Sequence, residues 1–133
     1  MTTRESNRDP RVAEAIKRAV DFHSKGQTAM AVEHLSALIP EFPEASALHG
    51  YLAVYLSQIG RFDEAIEPAR QAVRLSPKSE KASMVLFSVL VEARQHIEAL
   101  EEAKRFLSIG RSEIYSGMAD GLKRIMAEQD SAG

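Results

Sequence analysis

Four histidines, His23, His34, His49 and His96, are the side chains best suited to binding a metal or passing a proton near neutral pH. A metal site needs ligands that converge at fixed spacing, and no two of these histidines stand at i and i+4. They read as structural or solvent-facing. The chain has no cysteine, which removes thiol nucleophiles, disulfides and Cys-based zinc sites. It contains neither a G-x-S-x-G nucleophile elbow nor a G-x-x-x-x-G-K-S/T phosphate loop. The adjacent carboxylates Asp63/Glu64 and Glu101/Glu102 are the nearest approach to an acid–base pair. The sequence therefore assigns no catalytic residue, no metal and no cofactor, and the expected protein is not an enzyme.

The elements that must position any site are helices. Of 133 residues, 44% are hydrophobic and 6% aromatic, with no Trp, and good helix formers dominate. Runs of β-branched residues are missing, so the expected fold is all-α. That length suits one domain, large enough to bury a core unaided. Seventeen basic against nineteen acidic residues give a net charge of −2, which argues against a nucleic-acid partner. No apolar run approaches the ~18–20 residues of a membrane span, so no membrane insertion is expected. The polar start, Met1 to Asp9, lacks the apolar core of a signal peptide. A cytoplasmic location is the expectation.

One period organises the chain. Ala31, Ala65 and Ala99 are 34 apart (65−31, 99−65), as are Gly26 and Gly60 (60−26) and Pro43 and Pro77 (77−43). Each Ala opens a similar run: Ala31-Val-Glu-His-Leu, Ala65-Ile-Glu-Pro-Ala, Ala99-Leu-Glu-Glu-Ala. Within each period the punctuation reads helix, tight turn, helix. Asp9-Pro10 is a capping start, and Gly26 and Gly60 permit sharp reversals. Helices are expected over about 9–25, 28–39, 44–59, 62–75, 79–93, 97–109 and 112–128. Residues 1–8 and 129–133 are expected to be disordered tails around a single domain, 9–128. Pro68, inside the fourth helix, should kink it.

This pattern resembles the tetratricopeptide-repeat (TPR) family, with repeats at 12–45, 46–79 and 80–113 and a capping helix at 112–128. The middle repeat matches the family's favoured positions with Leu52, Ala53, Ala65, Ala72 and Pro77, and its Gly60-Arg-Phe-Asp-Glu-Ala65 turn is typical. The first keeps Ala19, Phe22, Gly26, Ala31 and Pro43. The third departs: Phe87 and Phe106 occupy small positions, while Arg94 and Arg111 replace the turn Gly and terminal Pro. Those rings are expected to widen the third helix pair. The resemblance implies a right-handed α-α superhelix whose stacked helix pairs share one core. It also places both carboxylate pairs on outer, solvated positions.

By the same resemblance, positions 2, 5, 9 and 12 of each first helix face a concave groove. These are Ala13, Ile16, Val20 and His23, then Ala47, Gly50, Val54 and Ser57, then Lys81, Met84, Ser88 and Val91, with Tyr51 and Val85 flanking. So apolar a lining fits a peptide or partner helix. Co-chaperones of this family that grip the acidic C-terminus of heat-shock chaperones use a two-carboxylate clamp. At its positions stand Ile16, Val20, Tyr51, Lys81 and Val85, and only Lys81 matches, so that subclass is disfavoured.

The last helix carries an apolar stripe, Ile114, Met118, Leu122, Ile125 and Met126, joined by Tyr115. Either it caps the last repeat near Phe87 and Phe106 in a broken register, or Tyr115, Met118, Leu122 and Ile125 form a second contact surface. The expected function is a protein-interaction scaffold or adaptor, monomer or weak homodimer. The alternatives are a small bacterial secretion-type chaperone holding a client segment, or a self-associating assembly subunit.

Overall fold

The computed structural model describes residues 7–132. Among them the principal elements are seven helices: α1 (Pro10–Ser24), α2 (Thr28–Leu38), α3 (Ser46–Gln58), α4 (Phe62–Leu75), α5 (Glu80–Glu92), α6 (His96–Leu107) and α7 (Glu113–Ala132). Successive helices pack as α1/α2, α3/α4 and α5/α6 pairs, with α7 against the last. The expected bounds hold to within two residues everywhere except at the C-terminus. There α7 runs through Ala132, because no Gly or Pro interrupts 122–132. The tail expected at 129–133 is thus helical as far as 132. At the other end Asn7 is docked: its amide nitrogen donates to Ser46 Oγ (3.0 Å), and its amide oxygen accepts from the Ala47 N–H (3.2 Å). The expectation of disorder for 1–6, and for 133, lies outside the described residues.

Local chemistry sets the helix ends. The Asp9 carboxylate accepts from the Arg11 N–H at 2.9 Å, with Pro10 in the first turn. Ser79 caps α5 through the Ala82 N–H, and Ser112 caps α7 through the Tyr115 N–H, both at 3.1 Å. The turn inside each pair is the same in all three repeats. Gln27 N–H reaches Phe22 O (2.8 Å), Arg61 N–H reaches Leu56 O (2.9 Å), and Gln95 N–H reaches Leu90 O (2.8 Å). This closure needs a left-handed residue, supplied by Gly26 (φ 75°), Gly60 (φ 78°) and Arg94 (φ 65°).

A side chain at Arg94 opposes that backbone by ~1–2 kcal/mol, against ~0.5–1 kcal/mol of extra chain entropy for Gly. Arg94→Gly is therefore expected to raise stability by ~0.5–1 kcal/mol, and Gly60→Ala to lower it by ~1 kcal/mol, in urea melts.

Alanines let the helices approach: Ala19, Ala31, Ala53, Ala65, Ala69, Ala72, Ala99 and Ala103 are all buried. Leu35, Leu48, Leu52, Leu86 and Leu90 fill the space between them. α4 continues unbroken past Pro68.

Candidate functional site: an apolar trough on the first helices

Two hollows lie end to end along α3 and α5, sharing Val54, Lys81 and Val85. The first, about 410 Å³, lies among His23, Ala47, Gly50, Tyr51, Tyr55 and Ala82. The second, about 490 Å³, continues past Met84 and Ser88 to Ser57 and Glu92. Small residues make the first hollow: a Cβ at Gly50 would sit 3.9 Å from the Ala72 Cβ, so nothing bulky floors the gap.

Charge is sparse: Lys81 stands where the two hollows meet, and Glu80 and Glu92 line the second. Lys81 Nζ lies 5.5 Å from the centre of the Tyr51 ring, a cation–π contact. Tyr51 and Tyr55 stand 6.0 Å apart, and Tyr55 meets the His23 ring at 5.0 Å. Burial, then the neighbouring Tyr51, pushes the Tyr55 hydroxyl above its ordinary value. At the far end the Ser57 hydroxyl donates to the Glu92 carboxylate, 2.9 and 3.0 Å from its oxygens. Eleven residues of α5 separate Lys81 from Glu92, roughly 16 Å at helical rise.

The structure brings His23, Gly50, Tyr51, Val54, Ser57, Lys81, Met84 and Ser88 together in this trough. It leaves out Ile16, Val20 and Val91. Ile16 and Val91 pack half-buried against the core, and Val20 is exposed. Ser79 and Ser112 cap successive first helices 33 residues apart (112−79), not 34, and one residue rotates a helix by ~100°. The trough also recruits Ser46, Ser76 and Ser79, which no groove position of the repeat singled out.

No family model matches the chain. The small glutamine-rich tetratricopeptide repeat-containing protein 2 of Mycosarcoma maydis is 27% identical over 127 residues, covering 89% of this chain. The chain spans 36% of that relative's length. Among solved structures, the TPR domain of Sgt2 from Aspergillus fumigatus superposes with a TM-score of 0.81 at 17% identity, covering 92% of this chain and 83% of that one. The first TPR domain of human RPAP3 gives 0.78 at 14% identity, covering 90% and 94%. The first TPR of Spaghetti (RPAP3), bound to the HSP90 peptide SRMEEVD, gives 0.76 at 13% identity, covering 96% and 99%.

The fold is that of a tetratricopeptide-repeat domain. Its third repeat solves the problem of two rings at small positions by turning them toward α7. Tyr115, fully buried, meets Phe87 edge-on at 5.4 Å and stacks on Phe106 at 5.7 Å. The second contact surface expected on α7 is corrected accordingly. Tyr115 and Leu122 are buried and Met118 packs against the core, while Ile114 and Ile125 remain outside. The apolar stripe caps the array in a rotated register.

The reading of Glu102 as an outer, solvated carboxylate is also corrected, whereas Glu101 is exposed as expected. Glu102 is 9% exposed and accepts from Ser83 Oγ at 2.5 Å. Arg105 grips it through both carboxylate oxygens at 2.8 and 2.7 Å, and spans to the Pro77 carbonyl at 2.8 Å. Tyr115 Oη lies 2.8 Å from Ser83 Oγ and 3.2 Å from the Ser83 carbonyl. Because the single Ser83 proton goes to Glu102, the tyrosine hydroxyl is the donor toward Ser83. Its pKa is pushed up to about 12, first by burial, with the nearby Glu102 charge adding to the rise. Periodicity carries no information about hydrogen-bond partners.

The histidines are dispersed. His49 bonds the Pro43 carbonyl (2.8 Å), His23 bonds Thr28 Oγ1 (2.8 Å), and His34 meets the edge of Phe22 at 6.0 Å. Among the described residues no three His, Asp or Glu side chains gather where a metal would bind, and no helix is long and apolar enough to cross a membrane.

Proposed function

We propose that this chain is a non-catalytic interaction module that holds an apolar peptide or partner helix in the trough along α3 and α5. The observation that carries this reading is the pair of connected hollows, which present Gly50, Val54, Met84 and Val85 and only three formal charges, Glu80, Lys81 and Glu92. Apolar side chains of a ligand would displace water from such a surface at ~25 cal/mol per Å². The first TPR of Spaghetti, similar in fold, is bound to the HSP90 peptide SRMEEVD, which supports a peptide as the class of ligand.

The chemistry of the trough separates it from binders of acidic termini. A peptide ending in two carboxylates needs several donors, and among the residues lining the first hollow Lys81 is the sole formal cation. Each missing charged hydrogen bond is worth ~1.5–3 kcal/mol. SRMEEVD is therefore expected to bind this chain at least roughly tenfold more weakly than it binds the Spaghetti domain, side by side in calorimetry. Equal affinities would contradict the apolar reading. The direct test is a selection from a displayed random peptide library, with the captured sequences retested on trough variants. Apolar sequences that fail on those variants support the assignment, and sequences that bind them equally overturn it.

A further inference from the structure

Gly50 stands inside α3 with no backbone reason to be glycine. Among the described residues the glycines with positive φ are Gly26 and Gly60, so the Gly50 backbone is one that any residue adopts. A Cβ added there would meet the Ala72 Cβ at 3.9 Å, an ordinary van der Waals contact. Alanine would therefore fit, and would favour the helix. What the glycine leaves instead is space. Ala47, one turn earlier on α3, Ala72 on α4 and Ala82 on α5 are nearly as short, and with Gly50 they keep the first hollow open at about 410 Å³. That is a volume at which small-molecule pockets begin.

The wall beside these short residues is built of rings. Tyr55 lies between Tyr51 at 6.0 Å and His23 at 5.0 Å, both pairs tilted, and all three line the first hollow. Aromatic rings favour such tilted and offset neighbours at ~4.5–7 Å. A further ring entering the hollow extends a row already in place, whereas an aliphatic side chain gains burial alone.

One cation stands beside that row. Lys81 is exposed, its Nζ 5.5 Å from the centre of the Tyr51 ring, and it enters no ion pair among the described residues. His23, the other base at this hollow, is engaged with Thr28 Oγ1 at 2.8 Å. Glu92 and Glu80, the sequence neighbour of Lys81, line the second hollow and not the first. A single carboxylate on the ligand is thus favoured at the first hollow and opposed at the second. On the reading of this trough as the binding site, we infer that the first hollow is a side-chain pocket selecting an aromatic residue of the ligand, its ring over Gly50 against Tyr51 and Tyr55 and an acidic group beside it on Lys81.

The probes are N-acetyltryptophan, N-acetyltryptophanamide, N-acetylleucine and N-acetylalanine, titrated into the full chain while backbone amide shifts are followed. N-acetyltryptophan should move Gly50 and Tyr51 with a Kd on the order of 1 mM. It should bind roughly threefold tighter than N-acetylleucine and roughly tenfold tighter than N-acetylalanine. The uncharged amide should bind roughly threefold more weakly than the acid, and Lys81→Met should remove that difference. Gly50→Leu, which fills the hollow, should weaken N-acetyltryptophan at least roughly tenfold. Gly50→Ala adds one unstrained methyl, and should raise the melting temperature while weakening the ring roughly threefold. Gly121→Ala, on α7 with open space around it, should raise the melting temperature and leave the affinity unchanged.

Equal binding of the tryptophan and alanine probes, or unchanged affinity in both Gly50 variants, would overturn the inference. An acid-over-amide preference that survives Lys81→Met would overturn the role given to Lys81. Peptides from the random library separate this from failure of the underlying reading. If they lose affinity on Val54→Glu while the ring probes show no preference, the trough binds the ligand without an aromatic pocket. If they bind Val54→Glu as well as the wild type, the trough itself is not the site.

Discussion

Tyr115→Ala is expected to destabilise the chain by about 3–4 kcal/mol in urea unfolding, the largest effect of any single side chain. Tyr115 is fully buried and stacks between Phe87 and Phe106, so truncation opens a cavity between α5, α6 and α7. It also strips a donor from Ser83, whose own proton goes to Glu102. Hydrogen exchange should show the loss as local opening of 113–132, because α7 packs on α6 alone over most of its length. Tyr115→Phe keeps the ring and removes the hydroxyl, and should cost about 1–2 kcal/mol.

The same hydroxyl carries a pH signature. Its folded pKa is raised to about 12, against about 10 in an unfolded chain. Below pH 10 both states hold the proton and the stabilisation is complete. Between about pH 10 and 12 only the unfolded state releases it, so stability falls with rising pH by on the order of 2–3 kcal/mol. Subtracting the Tyr115→Phe curve isolates this fall. A flat difference would mean that the tyrosine reaches solvent.

The functional counterpart is the double variant Val54→Glu/Met84→Glu. Both side chains are half-buried at the trough, and Val54 belongs to both hollows. Two carboxylates there remain hydrated in the free protein but must be desolvated against an apolar ligand, at a cost of several kcal/mol. Affinity for a selected apolar peptide should fall at least ~100-fold, while the melting temperature shifts by only a few degrees. Unchanged affinity would place the ligand elsewhere.

How much of this was legible in the sequence follows from what a repeat encodes. Ala31, Ala65 and Ala99 fix the helix crossings, and the Gly26/Gly60 turn is reproduced at Arg94 despite its side chain, because the 34-residue period dictates the backbone. The two hollows draw on the groove positions of α3 and α5, where neighbouring repeats keep register. Ile16 and Val20 on α1, and Val91 near the end of α5, lie outside both hollows. At the last step one missing residue between Ser79 and Ser112 turns α7 by a quarter-circle or more. Glu102 was misread for a different reason. Position on a second helix predicts exposure, yet Ser83 and Tyr115 come from distant parts of the chain to bury it.

The most direct test of the central claim is to record backbone amide shifts of the protein on adding a peptide selected from the random library. The account predicts that the changes concentrate on Gly50, Val54, Lys81, Met84 and Ser88. Changes confined to α6 and α7, with those five amides unmoved, would contradict it.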